Sequence, residues 1–392
     1  MAVDIDPVVV VGAARTAIGT YGGSLSGIDA YKLGAITIKE SLSRAGVEPE
    51  EVDEVVMGQI GQVGPDAYNA RRCALEAGLP SHTTAMNVNR LCSSGLQAII
   101  TGAQQVMLGS ADIVVAGGDE NMSSQPFLDY QARDGWKLGP RKVIDGTLSL
   151  VSDPFGGYPM GATAEKVAER YKVSREEQDR FAAESQRRAA IAIKDGLFEE
   201  DIVGVDRPKD TPFLVDEHPR PNTTVERLAR LRPVFKKGGS VTAGNSSGIN
   251  DGAASVVLMS QKTAEARGAE PLLRLVAWAV SGIDPEVMGY APALAVPKVL
   301  EKAGLTLDDI DLIELNEAFA AQAVAVIRDA GLDPEKTNVD GGAIALGHPV
   351  GATGAILTIK LMRALERIGG RRGIVTMCIG GGQGMAAIFE RP

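Results

Sequence analysis

The stretch AGVEPEEVDEVV at residues 45–56 returns as AGLTLDDIDLIE at residues 303–314, an offset of 258 residues (303 − 45). Ala, Gly and Asp keep their places, and the apolar and acidic positions agree. In both copies a helical pattern ends at Gly and a strand begins, so one α/β unit is written twice. The repeat extends outward: NVNRLCSSGLQAIITGAQQVMLGSADIVVAGG at 87–118 shares its plan with NVDGGAIALGHPVGATGAILTIKLMRALERIGGRRGIVTMCIGGG at 338–382. Each reads as a strand, a Gly-rich turn with one reactive residue, a helix, and a strand ending in Gly. Elsewhere β-branched runs alternate with helical patterns, as in the strands at 7–11 and 54–58 around a helix at 31–45, which predicts βαβ units and the α/β class.

Between the copies, residues 119–250 have no counterpart. They hold the turn-rich VSDPFGGYP, HPRPN and RLRPVFKKGG and two helical patterns at 164–171 and 175–195. The organisation expected is therefore 1–118 with 251–268 as the first half, 119–250 as an insertion, and 269–392 as the second half. Insertions of this kind carry specificity or assembly contacts. The 392-residue length suits two to three domains at roughly 150 residues each.

Composition narrows the function. Lys and Arg number 40 against 50 Asp and Glu, a formal charge of −10 that argues against nucleic acid as a partner. The amino terminus MAVDIDPVVVVGAA has acids where a secretion signal has cations, and no apolar run reaches the roughly 20 residues of a membrane span. The three cysteines, Cys73, Cys92 and Cys378, have neither disulfide-framework nor metal-ligand spacing. The expectation is a cytoplasmic protein with no metal site and no membrane partner.

With three Cys and three His in the chain, the candidates for chemistry are few. Cys92, in NRLCSSGLQAII, falls between a strand at 84–88 and a helix whose buried face is Leu96, Ile99, Ile100, Ala103 and Met107. A sulfur at a helix amino terminus is expected to have a lowered pKa, and a fall from about 8.5 to about 7 is worth about 2 kcal/mol. The alternative is a small core hydrophobe. His348, in ALGHPVGATGA, holds the equivalent turn of the second copy, the expected place for a base to meet that nucleophile, though a turn His is the bland reading. Cys378, before Gly380–Gly382, sits where successive backbone N–H groups can approach a ligand, or is simply buried beside a tight turn. Asn316 and Glu317 are either helix caps or, for the Asn, a holder of a catalytic water. Cys73 reads as packing, and His82 and His218 as solvated surface residues. GAARTAIG at 12–19 is G-x-A-x-x-A, short of a dinucleotide fingerprint. Between 218 and 240, six Lys and Arg face the single acid Glu226, either a solvated face or a seat for the phosphates of an anionic substrate.

Together, NRLCSSG at 89–95, GGDENMS at 117–123, MGATAEKVA at 160–168, TAGNSSGINDGAA at 242–254, LNEAFAAQ at 315–322, GHPVGATGA at 347–355 and CIGGGQG at 378–384 resemble the thiolases, over essentially the whole chain. The resemblance implies the thiolase fold, two βαβαβαββ halves in five αβαβα layers with an inserted loop domain that covers coenzyme A and makes tetramer contacts. It implies Cys92 as the acyl-accepting nucleophile, His348 as its base and Cys378 as the acid/base at the α-carbon. Asn316 would hold a water for one oxyanion hole, with the N–H groups of Cys92 and Gly380 forming the other. Arg220, Ser247, Met160, Met288 and Phe319 fall at positions that contact coenzyme A or line the acyl pocket. The implied activity is reversible acyl transfer between 3-ketoacyl-CoA and acetyl-CoA, with coenzyme A as substrate, no cofactor, and a homotetrameric assembly. Pro159, where short-chain biosynthetic members often have His, Arg227, and Ala291, where Gly is usual, depart from the pattern. The alternatives are a ketoacyl-synthase-like condensing enzyme, which pairs Cys with His-His or His-Asn, and a non-catalytic acyl-CoA-binding relative.

Overall fold

The structure is a computed structural model that describes residues 6–207 and 211–392; residues 1–5 of the amino-terminal stretch read above lie outside it. The first half runs β1 (Val8–Arg15), α1 (Ala30–Ala45), β2 (Glu54–Gly58), α2 (Asn69–Glu76), β3 (Thr84–Val88), α3 (Ser94–Met107), β4 (Ile113–Asn121). The insertion follows, with α4 (Met160–Arg170) and α5 (Arg175–Lys194), and the chain returns through β5 (Asn250–Ser260). The second half runs β6 (Leu273–Gly282), α6 (Pro292–Ala303), β7 (Leu312–Leu315), α7 (Ala320–Asp329), α8 (Thr353–Ile368), β8 (Arg372–Ile379), β9 (Gln383–Glu390).

The strand order β7-β8-β9-β6-β1-β5-β4-β2-β3 contains the same sheet twice. In each half two parallel neighbours are followed by antiparallel ones, and the halves join where β1 meets β6 at Val9↔Arg274 and Val10↔Leu273. The duplicated plan has one exception. The strand expected near Asn338, the counterpart of β3, is reduced to a single parallel bridge, Ile313↔Thr337. Asn338 turns to φ 51°, and its side-chain amide replaces the backbone ladder, with Oδ1 accepting from Leu315 N at 2.8 Å and Nδ2 donating to Leu315 O at 2.8 Å.

Side-chain alternation along the strands builds the layers. Val8, Val10, Val56, Val114 and Val256 face inward with Val375, Met377 and Phe389, and α3 and α8 fill the space between the two sheets. Val9, Val11, Val55, Met57 and Val257 face outward onto α1 and α2. Ile313, Leu315, Ile374, Ala386 and Ile388 form the third core, against α6 and α7. The result is the five-layer αβαβα arrangement. Among the described residues, no helix is long and apolar enough to cross a membrane.

The central layer places the chemistry, because α3 and α8 point their amino termini at one another and only glycine permits the contact. A Cβ on Gly95 would lie 2.8 Å from Gly351 O, and one on Gly354 would lie 2.3 Å from Leu96 N. Atoms cannot approach so closely, so these glycines set how near the two catalytic turns come.

Candidate active site

Cys92 lies in a short 3-10 turn, Leu91–Ser93, between β3 and α3. Leu91 is held at φ 48°, a left-handed conformation that costs a non-glycine residue on the order of 1 kcal/mol or more. Side-chain bonds support it: Ser94 Oγ accepts from Arg90 N at 2.9 Å and donates to Leu91 O at 2.7 Å, and Asn89 Oδ1 accepts from Leu91 N at 3.1 Å. The strained elbow turns the sulfur into a cavity of about 220 Å³.

That cavity brings together Cys92, His348 and Gly380, with Met160, Met288, Phe319 and Ser247 on its walls. Cys378 is buried directly behind, packed with Met288, Ala318, Met160 and Phe319. Most other lining residues are apolar, among them Ile60, Leu148, Leu150, Phe235 and Val350. Pro159 is the residue before α4 and also reaches the wall. Arg220 is the predicted binding residue that does not: it is exposed on the insertion, its N–H donating to Gln186 Oε1 at 2.7 Å.

His348 is fixed on three sides. Its N–H donates to Asn250 Oδ1 at 2.9 Å, Nδ1 lies 2.6 Å from Thr353 Oγ1, and Nε2 lies 3.4 Å from Asn316 Nδ2. The Thr353 hydroxyl already donates to Pro349 O at 2.8 Å, so it accepts from Nδ1–H. The proton is therefore on Nδ1, and Nε2 carries the lone pair of a base, toward which the Asn316 amide donates. Burial lowers the imidazole to a pKa of about 4, which keeps it neutral.

The thiols behave differently from the sequence expectation. Desolvation pushes Cys92 above its ordinary value, and the N–H groups of Gly380 and of Cys92 itself, both aimed at the sulfur, offset this only in part. Apolar surroundings outweigh the helix terminus, so the lowered pKa expected at Cys92 is corrected: at rest it is a thiol. Cys378 is pushed up much further by burial and by the neighbouring Cys92 sulfur.

Asn316 and Glu317 do not cap the helix that follows them, although Glu317 Oε2 accepts from Ile344 N, in the first turn of the short helix Ala343–Leu346, at 3.2 Å. The following helix, α7, starts at Ala320 with Phe319 as its flanking residue, and both side chains are buried upstream. Asn316 turns to His348, and its Oδ1 has no hydrogen-bond partner among the described residues. Glu317 accepts from Ser185 Oγ at 2.6 Å and Asn338 Nδ2 at 2.8 Å, which ties α5 of the insertion to the second half. His218, expected to be solvated, is half-buried, with Nδ1 3.4 Å from Asn250 Nδ2, because it packs against Gly248. His82 is exposed, and Cys73 is buried on α2, its Sγ donating to Asp119 at 3.2 Å. The reading of residues missed Thr353 and Asn250, which hold His348 in place. Their only signal was a hydroxyl five residues after His348 and an amide in the Gly-rich TAGNSSGIN stretch.

A Cys and a neutral His facing one apolar cavity, with two backbone N–H groups on the sulfur, are the arrangement that covalent acyl transfer uses. The profile of the family described as Thiolase, N-terminal domain matches residues 8–262, and that of Thiolase, C-terminal domain matches 269–391. The chain therefore belongs to the thiolase family. It is 50% identical over 389 residues to beta-ketothiolase BktB of Cupriavidus necator, covering 98% of this chain and 99% of the relative. It is 48% identical to an acetyl-CoA acetyltransferase of Syntrophomonas wolfei, covering 98% of each. Among solved structures, the Bacillus anthracis acetyl-CoA acetyltransferase superposes with a TM-score of 0.97 at 45% identity, over 99% of both chains. Human mitochondrial 3-ketoacyl-CoA thiolase in complex with CoA superposes with a TM-score of 0.95 at 44% identity, over 99% of this chain and 98% of that one.

Proposed function

We propose that the chain cleaves 3-ketoacyl-CoA with coenzyme A, and runs the reverse Claisen condensation of two acetyl-CoA, through an acyl-Cys92 intermediate. The observation that carries this reading is the single cavity shared by Cys92, His348 and Gly380, with Cys378 and Asn316 at its back. Because Cys92 is a thiol at rest and His348 a neutral base, deprotonation accompanies attack: Sγ adds to the 3-keto carbon while Nε2 takes the proton. The N–H groups of Cys92 and Gly380 receive the developing oxyanion. As the C2–C3 bond breaks, the enolate of acetyl-CoA forms, its oxygen facing His348 and a water held by Asn316. Cys378, whose raised pKa keeps its proton in place, delivers that proton to C2. The imidazolium of His348 returns its proton to the Cys378 thiolate; a second coenzyme A thiol then gives its proton to the neutral His348 as it attacks the acyl-sulfur carbonyl, and collapse of the adduct returns that proton to Cys92.

Met160, Met288 and Phe319 line the acyl end and Ser247 the pantetheine approach. Arg220 and the exposed cations of 220–237 meet the phosphates from outside the cavity. No resident cofactor takes part. The insertion at 119–250 covers coenzyme A and joins four copies, in a cytoplasmic protein.

The test is to incubate the enzyme with acetyl-CoA, quench, and locate the acyl group by peptide mass spectrometry. Acetyl on Cys92 is expected; a label elsewhere, or none, overturns the mechanism. Thiolysis rates from acetoacetyl-CoA upward fix the chain length, and light scattering showing a stable monomer refutes the tetramer.

A further inference from the structure

Glu120, at the end of β4, is fully buried and lies outside the chemistry just described. Its Oε2 accepts from Ile60 N at 3.0 Å and from Gly351 N at 2.9 Å, and its Oε1 accepts from Gly61 N at 3.0 Å. The first and last of these donors belong to the loop after β2, in the first half. Gly351 is in the His348 turn, in the second half. Ile60 and Val350, beside these donors, both line the cavity. The fit leaves no slack, since a Cβ on Gly351 would lie 2.6 Å from Glu120 Oε2.

We propose that Glu120 is a positioning residue for acyl transfer: one carboxylate that fastens the His348 turn to the first-half loop and fixes how the base addresses Cys92. The proposal rests on the acyl-Cys92 reading. Once ionised, above about pH 8, Glu120 also bears on Cys92 electrostatically, its charge disfavouring the thiolate. The titratable and charged groups facing it are Asp119 on its own strand and Cys92 across the cavity floor; the three donors are neutral backbone. Asp119 is itself bonded to Asn69 and Cys73.

Three measurements on the full chain test this. Glu120→Gln keeps an acceptor for two of the N–H groups but sets an NH₂ against the third and removes the charge that Glu120 carries above about pH 8. The expectation is a drop of about tenfold in kcat with KM for coenzyme A held within about twofold, because an ångström of misplacement costs rate before binding. The pH midpoint for alkylation of Cys92 by iodoacetamide should move down, a shift that a purely structural loss does not produce. Glu120→Asp keeps the charge but is one methylene too short to bridge, so kcat should fall by about 10- to 100-fold with no downward shift in the midpoint. In the unmodified protein, the amides of Ile60, Gly61 and Gly351 should exchange with deuterium as one unit, which needs no variant to fold. Wild-type kcat and alkylation profiles in both variants, or independent exchange of the three amides, overturn the proposal. Failure of the acyl-Cys92 reading is a different result: the unmodified enzyme would then form no acyl-Cys92 at all.

Discussion

The two halves share one set of strands and helices and place different residues at the same stations. In the turn that leads into the helix after the third strand position, the first half puts Cys92 and the second puts His348. In the loop after the second strand, the first half has Gln59, buried with both amide atoms unpaired among the described residues, and the second has Asn316, bonded to His348. At the end of the fourth strand, the first half has the carboxylates Asp119 and Glu120, and the second has Cys378 and a run of glycines. On the proposed reading, the nucleophile comes from one half, and its base, its acid and its amide from the other. Duplication supplies the facing helix ends, and divergence in the turns supplies the chemistry.

The comparison breaks most severely at Cys92. Cys92→Ser should fold with an unchanged melting temperature and lose acyl transfer altogether, because a buried hydroxyl beside a neutral His is far harder to deprotonate than the thiol it replaces. Near wild-type thiolysis by this variant would contradict the assignment of the nucleophile to the first half. Cys378→Ala, on the second half, should spare acetylation of Cys92 by acetyl-CoA and slow the Claisen step by about 10²- to 10⁴-fold, the range for a lost proton donor or acceptor. Equal loss in both half-reactions would mean that Cys378 acts on Cys92 and not on the α-carbon. Thr353→Val removes the acceptor of His348 Nδ1–H and should cost about tenfold in kcat, about 1.4 kcal/mol of orientation. Thr353→Ser should restore the rate, and an unaffected Val variant would show that packing alone fixes the tautomer.

The architecture was open to reading from one sequence because it is local and repeated. Short strand runs such as 54–58 and 84–88 fell where the structure has them, and the duplicated Gly-to-strand junction disclosed the pseudo-symmetry that brings Cys92 to His348. What could not be read depended on contacts between distant segments. The missing strand at Asn338 is a side-chain amide substituting for backbone. The raised Cys92 pKa comes from apolar walls contributed by the insertion and the second half, which outweigh a helix terminus visible in the local sequence. Glu120 and Thr353 looked like any strand-end acid and helix-start hydroxyl until their partners across the halves were known.

A further contrast separates the halves by pH dependence of stability. The folded-state pKa of His348 is depressed to about 4, while an unfolded His titrates near 6.5. Below about pH 6.5 the unfolded chain takes up a proton that the folded chain refuses, so folding loses on the order of 1.4 kcal/mol per pH unit from this group until about pH 4. The contribution is fully favourable above that window and lost as the pH falls through it. Glu120, in the first half, is pushed up to about 8 by burial and has the opposite sign: the folded state holds its proton more tightly, and stability falls as pH rises from the ordinary carboxylate range toward 8. Urea midpoints from pH 4 to 8 should therefore flatten at the acid end in His348→Gln and at the neutral end in Glu120→Gln. Parallel curves for the unmodified protein and His348→Gln below pH 6.5 would mean that the imidazole is hydrated when folded, and that the second half does not keep its base dry.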